Sequence, residues 1–243
     1  VCRHYRTGEA YVVEPAGSGW MLRERRGDER GETDRWIGPA LADIQINGYG
    51  GINFTSAAIT PEGILAVTRA LREKGTAYFC PTIVTASSEV ILHALRTYEA
   101  ACAQYPEVAQ ASLGYHLEGP YISSEDGPRG AHPQEYARDP DWEEFQTFQE
   151  AANGQISYVT LAPERDGSLP FIEKLAEAGI LVALGHTGPS TQQIADAASA
   201  GARLCTHLGN GAHAMLPRHP NYLWDMLAED QLHISLIADG FPL

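Results

Sequence analysis

The chain has 243 residues, 44% of them hydrophobic, which is enough to bury one substantial core of the size that a βα barrel needs. Its 31 acidic residues against 17 basic ones leave a formal charge of −14, which argues against nucleic acid and against an anionic membrane surface as partners. No apolar run approaches the roughly 18 residues of a membrane span, and the start carries no signal-peptide pattern.

The first 38 residues read as part of a small β domain, with short strands at 11–13 and 20–22 and a solvated charged turn from Arg23 to Arg30. Residues 39–243 then alternate strands with helices. The first of these strands spans 40–46. A helix follows with Thr60 as N-cap, Pro61 in its first turn, Ile64, Val67 and Leu71 on one face, and Gly75 closing it. Strand two covers 77–84, and a helix runs from about Ser88 to Cys102. Strand three begins at Ser112 and ends at Glu118. Strand four covers 156–161, and the helix that starts at Ser168 is ended by Gly179. Strand five ends at His186, a helix near 190–200 is ended by Gly201, and strand six ends at His207. Residues 233–239 form strand seven.

Seven strands alternating with helices point to a parallel (β/α) barrel, because ligand-type residues stand at the ends of several different strands. Glu118, His186 and His207 each end an apolar run. Alternation puts Glu118 on the face of His116, and His186 on the face of Leu184 and Val182. In a parallel barrel the three side chains converge at the C-terminal mouth. One carboxylate and two imidazoles with an open fourth position form a catalytic zinc-type set, which points to a metal-dependent hydrolase. A doubly wound sheet would gather its site behind a glycine-rich first turn, but Asn47-Gly48-Tyr49-Gly50-Gly51 lacks the dinucleotide-binding spacing and opens no helix.

Other residues have plainer readings. His116 and His233, lone histidines in apolar strands, read as structural, and His93 and His219 as helix-surface and loop residues. Glu143 and Glu144 read as a solvated helix start, Glu164 as a loop carboxylate at the mouth of strand four, Arg129 as loop surface, and Gly50-Gly51 as a tight turn. Cys2, Cys80, Cys102 and Cys205 have no metal-type spacing and read as reduced residues of a cytoplasmic protein.

Seven motifs stand in a telling order: Asp43-Ile44-Gln45-Ile46-Asn47-Gly48-Tyr49-Gly50-Gly51, His116-Leu117-Glu118-Gly119-Pro120, Arg129-Gly130-Ala131-His132, Val159-Thr160-Leu161-Ala162-Pro163-Glu164, Gly185-His186-Thr187, Thr206-His207-Leu208 and Ile237-Ala238-Asp239-Gly240. From about residue 38 to its end the chain thereby resembles the N-acetylglucosamine-6-phosphate deacetylases of the amidohydrolase superfamily. The resemblance implies that Glu118, His186 and His207 hold one divalent metal, zinc, which polarises the acetamide carbonyl and lowers the pKa of a bound water. It places His132 near the acetyl carbonyl, where a neutral N–H stabilises the developing oxyanion, with the backbone of Ala131 beside it. It assigns Asn210 and Gly211 to the loop that binds the sugar, and Asp239 and Gly240 to the sugar pocket. Arg218 matches an arginine that pairs with the phosphate of the neighbouring subunit's substrate, which implies a homodimer acting on a small amino-sugar phosphate.

The sequence departs from that pattern in places. Gln45-Ile46-Asn47 replaces the His-x-His of two-metal amidohydrolases, so one metal is expected. The segment after His207 is longer by about two residues, which adds His213, and Pro242 stands where a histidine is usual. The family's general base, an aspartate ending strand eight, has no counterpart here, and such a base is typically worth about 10²–10⁴-fold. The sequence therefore reads as an incomplete copy of a longer enzyme, poor in catalysis but with the rest of its site laid out. Two other readings stand beside it: an amidohydrolase cleaving a cyclic amide or a different N-acyl group, and a non-catalytic sugar-phosphate binder.

Overall fold

The computed structural model describes residues 1–17, 19–27 and 34–240; Pro242, and Asp28, Glu29 and Arg30 of the charged run, lie outside the described residues. The chain divides into two compact units, Val1–Leu41 and Ala42–Leu243.

The first unit is a four-stranded sheet in the order β3-β2-β1-β4, made of β1 (Cys2–His4), β2 (Ala10–Ala16), β3 (Gly19–Glu24) and β4 (Trp36–Ile37). The β2–β3 hairpin is antiparallel and pairs Tyr11 with Glu24 and Val13 with Leu22. Arg23 and Glu24 thus belong to a strand and not to the expected turn. The cause is cross-strand pairing, since Arg23 Nη2 lies 2.7 Å from Glu14 Oε1 on β2.

The second unit is built on a seven-stranded sheet. Its strands are β5 (Leu41–Ile46), β8 (Thr76–Val84), β9 (Tyr115–Glu118), β10 (Ile156–Leu161), β11 (Leu181–Leu184), β12 (Leu204–Cys205) and β13 (His233–Ile234), hydrogen-bonded in chain order. The pairs from β8 through β13 are parallel. A two-stranded hairpin of β6 (Gly48–Tyr49) and β7 (Ile52–Asn53) follows β5. This parallel sheet with its connecting helices is a (β/α) barrel sheet of seven strands.

The helices begin where local chemistry says they should. Helix α1 (Pro61–Glu73) is capped by Thr60, whose hydroxyl accepts from Gly63 N–H at 3.2 Å, and it buries Ile64, Val67 and Leu71. Helix α2 (Ser88–Gln104) is capped by Ser87. The short α3 (Pro106–Ala111) has no counterpart in the sequence reading. Pro106 supplies its first turn, and no side chain caps it. Strand β9 accordingly starts later than expected, with Ser112 left as a single bridge to Phe79. Helices α4 (Trp142–Ala151), α5 (Ser168–Glu177), α6 (Thr191–Ala200) and α7 (Tyr222–Ala228) complete the unit, α6 with a full capping box between Ser190 and Gln193.

One expectation fails at α4. Glu144 is no solvated helix start, because its carboxylate takes Arg138 Nη2 at 2.8 Å, Ser88 Oγ at 2.6 Å and Tyr121 OH at 3.1 Å. These contacts draw the head of α4 to the loops after β8 and β9.

Two apolar layers form. The larger lies between the sheet's outer face and the helices and holds Ile83, Leu117, Val159, Val182, Leu184 and Cys205 with Val67, Leu95, Ile172 and Ile194. A separate small cluster of Tyr158, Ala183 and Leu204 takes the opposite strand parity. Beside it runs a buried polar chain. His116 Nδ1 meets Thr82 Oγ1 at 3.2 Å, His116 Nε2 meets Thr160 Oγ1 at 2.7 Å, and Thr160 meets Thr206 at 2.7 Å. Thr82 already donates its hydroxyl proton to the Cys80 carbonyl, so His116 donates from Nδ1 and accepts at Nε2. Burial pushes the His116 pKa down to about 3, so this chain is neutral. Among the described residues no helix is long and apolar enough to cross a membrane.

Candidate metal centre

Glu118 closes β9 on the inner face that His116 also occupies, so alternation alone delivers it to the mouth of the barrel. The two histidines arrive differently. His186 has the parity of Val182 and Leu184, and His207 that of Cys205, all residues of the helix-facing layer. Alternation would send both imidazoles outward. Instead His186 has φ 52° and His207 φ 31°, left-handed values rare for residues with a Cβ. Each strand turns at its last step and swings the ring inward, a strain of roughly 1–3 kcal/mol per residue of the kind that collects at functional sites.

The result is a tight cluster. Glu118 Oε1 lies 2.9 Å from His207 Nε2 and 3.2 Å from His186 Nε2, and it accepts from Gln45 Nε2 at 2.7 Å. All three residues are buried. Among the described residues they are the one group of three ligand-type side chains whose donor atoms lie within 4.8 Å of one another.

The donor set fits a divalent ion. His186 Nδ1 donates to the Pro128 carbonyl at 3.1 Å, so in the neutral ring Nε2 turns a lone pair toward an anionic carboxylate oxygen. Two electron-rich atoms in that position call for a cation between them. Nitrogen and oxygen donors around zinc stand roughly 3.4 Å apart when tetrahedral, close to the separations here. His207 Nδ1 is buried without a hydrogen-bond partner. Burial alone would raise the Glu118 pKa, but where the two imidazoles instead donate to the carboxylate they outweigh burial and hold it well below its usual range. Burial lowers the His207 pKa less than the Glu118 hydrogen bond and charge raise it.

His132 joins the same cluster. It is buried, with Nε2 3.2 Å from His186 Nε2 and 3.9 Å from Glu118 Oε2. Burial and the neighbouring His186 push its pKa down to about 4, so it offers an N–H and no charge. Its Nδ1 has no partner. Arg129 is not a surface residue of its loop: its side chain is only 19% exposed, pairs with Asp126, and donates from Nη1 to the His132 carbonyl at 2.6 Å.

The remaining candidates are spread more widely. Gly211 lies against the His186 ring, since a Cβ there would sit 2.5 Å from Nδ1. Gly130 approaches the same ring, with its hypothetical Cβ 3.2 Å from Cε1. Asn210 turns the chain by donating its N–H to the His207 carbonyl at 2.9 Å, and its side chain is exposed. Ala131, Arg218, Asp239 and Gly240 are exposed. His213 binds Tyr222 OH at 3.0 Å and Glu125 at 3.1 Å, fixing the loop that follows β12. Three contributors were not foreseen in the sequence: Gln45 as donor to Glu118, the Pro128 carbonyl as partner of His186, and Glu164, which binds Thr187 and Gly188. Gln45 and Glu164 stand inside recognised motifs, so their positions were legible and their partners were not.

A parallel barrel sheet whose mouth gathers one carboxylate, two imidazoles and a third neutral histidine defines the amidohydrolase class of metal-binding proteins. No protein-family model matches the chain. It is 36% identical over 205 residues to the N-acetylglucosamine-6-phosphate deacetylase of Bacillus subtilis, covering 83% of this chain and 50% of that protein. It is 32% identical over 202 residues to the N-acetylgalactosamine-6-phosphate deacetylase of Escherichia coli, covering 83% of this chain and 52% of that one. A solved aspartate-to-alanine variant of N-acetyl-D-glucosamine-6-phosphate deacetylase from Mycobacterium smegmatis, in complex with N-acetyl-D-glucosamine-6-phosphate, superposes with a TM-score of 0.73 at 30% identity, covering 89% of this chain and 58% of that chain. The chain belongs to the N-acetylglucosamine-6-phosphate deacetylase family. It spans about half the length of these relatives.

Proposed function

We propose that this chain carries the metal centre of a deacetylase that hydrolyses N-acetylglucosamine 6-phosphate to glucosamine 6-phosphate and acetate. The observation that carries this reading is the convergence of Glu118, His186 and His207 within hydrogen-bond distance of one carboxylate oxygen, with His132 beside them. Glu118, His186 and His207 would hold one divalent ion, zinc, whose chemistry when bound is to polarise the acetamide carbonyl and lower the pKa of water. Gln45 spends its amide N–H on Glu118, which fixes the carboxylate and leaves that amide nitrogen unfit to hold a second ion. His132, neutral at working pH, presents an N–H to the developing oxyanion, a role typically worth about 10²–10³-fold where measured. Arg129 holds the His132 backbone through its carbonyl.

Ala131, Asn210, Gly211, Asp239 and Gly240 border the sugar in this reading. Arg218 is exposed and has no ion-pair partner among the described residues, which suits a guanidinium reserved for a phosphate in the neighbouring protomer's site of a homodimer. Four unpaired cysteines, three of them buried, suit a cytoplasmic setting.

Two measurements test the reading. Calorimetry should show glucosamine 6-phosphate binding to the zinc-loaded protein and losing affinity when the metal is stripped. Whatever slow acetate release the chain supports without the family's general base should be seen with N-acetylglucosamine 6-phosphate and not with N-acetylglucosamine. Metal-independent sugar binding would sink the assignment. The likeness to the Escherichia coli protein supports a second reading, in which the galactosamine epimer is preferred. Comparing the two epimers in the same assay separates them.

A further inference from the structure

His186 reaches the metal centre only because its backbone is left-handed, with φ 52°. Its ring is fixed by Pro128 and its carbonyl accepts from Ser123 N–H at 3.0 Å, but neither contact holds the chain that leaves the turn. Glu164 does. One carboxylate oxygen accepts from Gly188 N–H at 2.9 Å, and the other accepts the hydroxyl of buried Thr187. A carboxylate is an acceptor on both oxygens and so satisfies two successive donors at once. Gly188 has no slack on its other side, where a Cβ would sit 2.9 Å from the His213 ring. The other ligand histidine is held at its own backbone, since His207 N–H donates to Ser235 Oγ at 2.8 Å just after β13.

We infer that Glu164 is a positioning residue for His186, locking the left-handed turn that aims its Nε2 at the metal centre. This rests on the metal reading given above. Residues behind a metal's ligands typically change its affinity by 10–100-fold when removed. The carboxylate touches neither the ring nor the reacting atoms, so its effect passes through the two residues after His186.

The test is the zinc affinity of this chain, measured by competition with a chromophoric chelator, together with thermal unfolding of each variant. Glu164→Ala should weaken zinc binding at least about tenfold. Thr187→Val, which keeps the shape and deletes one of the two hydrogen bonds, should fall between parent and Glu164→Ala, and it carries the test should Glu164→Ala fail to fold. Glu164→Gln should stay within about threefold of the parent, because its carbonyl can accept from Gly188 while its amide donates to Thr187 Oγ1. Arg138→Ala, in the separate side-chain network on Glu144, should lower the unfolding temperature and leave zinc affinity alone. Parent-like zinc affinity in Thr187→Val and Glu164→Ala overturns the inference, as does a Glu164→Gln variant as weak as Glu164→Ala. A parent chain that binds no zinc at all removes the metal reading itself.

Discussion

At the scale of single residues, the centre depends on where rings are pushed as much as on which atoms could ligate. Gly211 has φ 61° and leaves room for only a hydrogen against His186. Gly211→Ala should displace the ring and weaken zinc binding about tenfold. Gly50→Ala is the matched control, since Gly50 has φ 62° with nothing within 4 Å, so it carries the backbone penalty without the collision. Equal affinities in the two variants would show that the His186 ring is not held by loop packing. Removing the ligands themselves, as Glu118→Gln, His186→Ala or His207→Ala, should strip most of one bound ion per chain, read by metal analysis after desalting. His116→Ala should keep the metal and lose stability, because it breaks a neutral chain linking Thr82 to Thr160 one step below Glu118.

Among the elements, what the sequence told was whatever is decided locally. Thr60 before Pro61 announces a helix start that the structure keeps, since a cap satisfies its own neighbours. Seven strands were legible from their apolar runs, but the last, expected over 233–239, is only His233–Ile234, and β11 and β12 stop two residues short of His186 and His207. What decides the site is not local. Strand parity predicts outward rings at positions 186 and 207, and nothing in Gly185-His186-Thr187 shows that Glu164 and Ser235 hold the chain in a left-handed turn there. The same blindness made Glu144 look solvated, because Arg138, Ser88 and Tyr121 reach it from other elements. Burial alone would raise the Glu144 pKa, yet these partners outweigh it and the net shift is downward. A lowered folded pKa means that the stabilisation is complete above the unfolded value of 4.5 and is lost as pH falls from there through the folded value. Glu144→Gln should therefore destabilise at neutral pH, on the order of 1–2 kcal/mol for a partly exposed charged network. The gap between parent and variant should close as pH falls below 4.5 and through the lowered folded value, because only this carboxyl differs between them. A gap that persists unchanged into acid would mean that shape, not charge, holds the head of α4.

On the scale of the whole molecule, a net charge of −14 repels the anionic substrate of the proposed reaction, so the phosphate needs a dedicated cation. Arg129 is committed to Asp126 and to its own loop, and Arg138 to Glu144. Arg218 stands exposed without an ion-pair partner among the described residues. Replacing it by alanine should weaken glucosamine 6-phosphate binding by about tenfold or more, the equivalent of roughly 1.5–3 kcal/mol for a charge-assisted hydrogen bond, and leave glucosamine unaffected. Whether the arginine serves its own site or a partner's is decided by mixing. In a dimer that pairs an Arg218→Ala chain with a His186→Ala chain, a guanidinium acting across the interface restores one intact site: the first chain supplies the metal centre and the second supplies the arginine. Calorimetry on the co-expressed, differentially tagged pair should then count one site of parental affinity per dimer, although neither variant alone shows any. A guanidinium acting within its own chain leaves every site in the mixed dimer short of either metal or arginine, and the full-affinity site does not return.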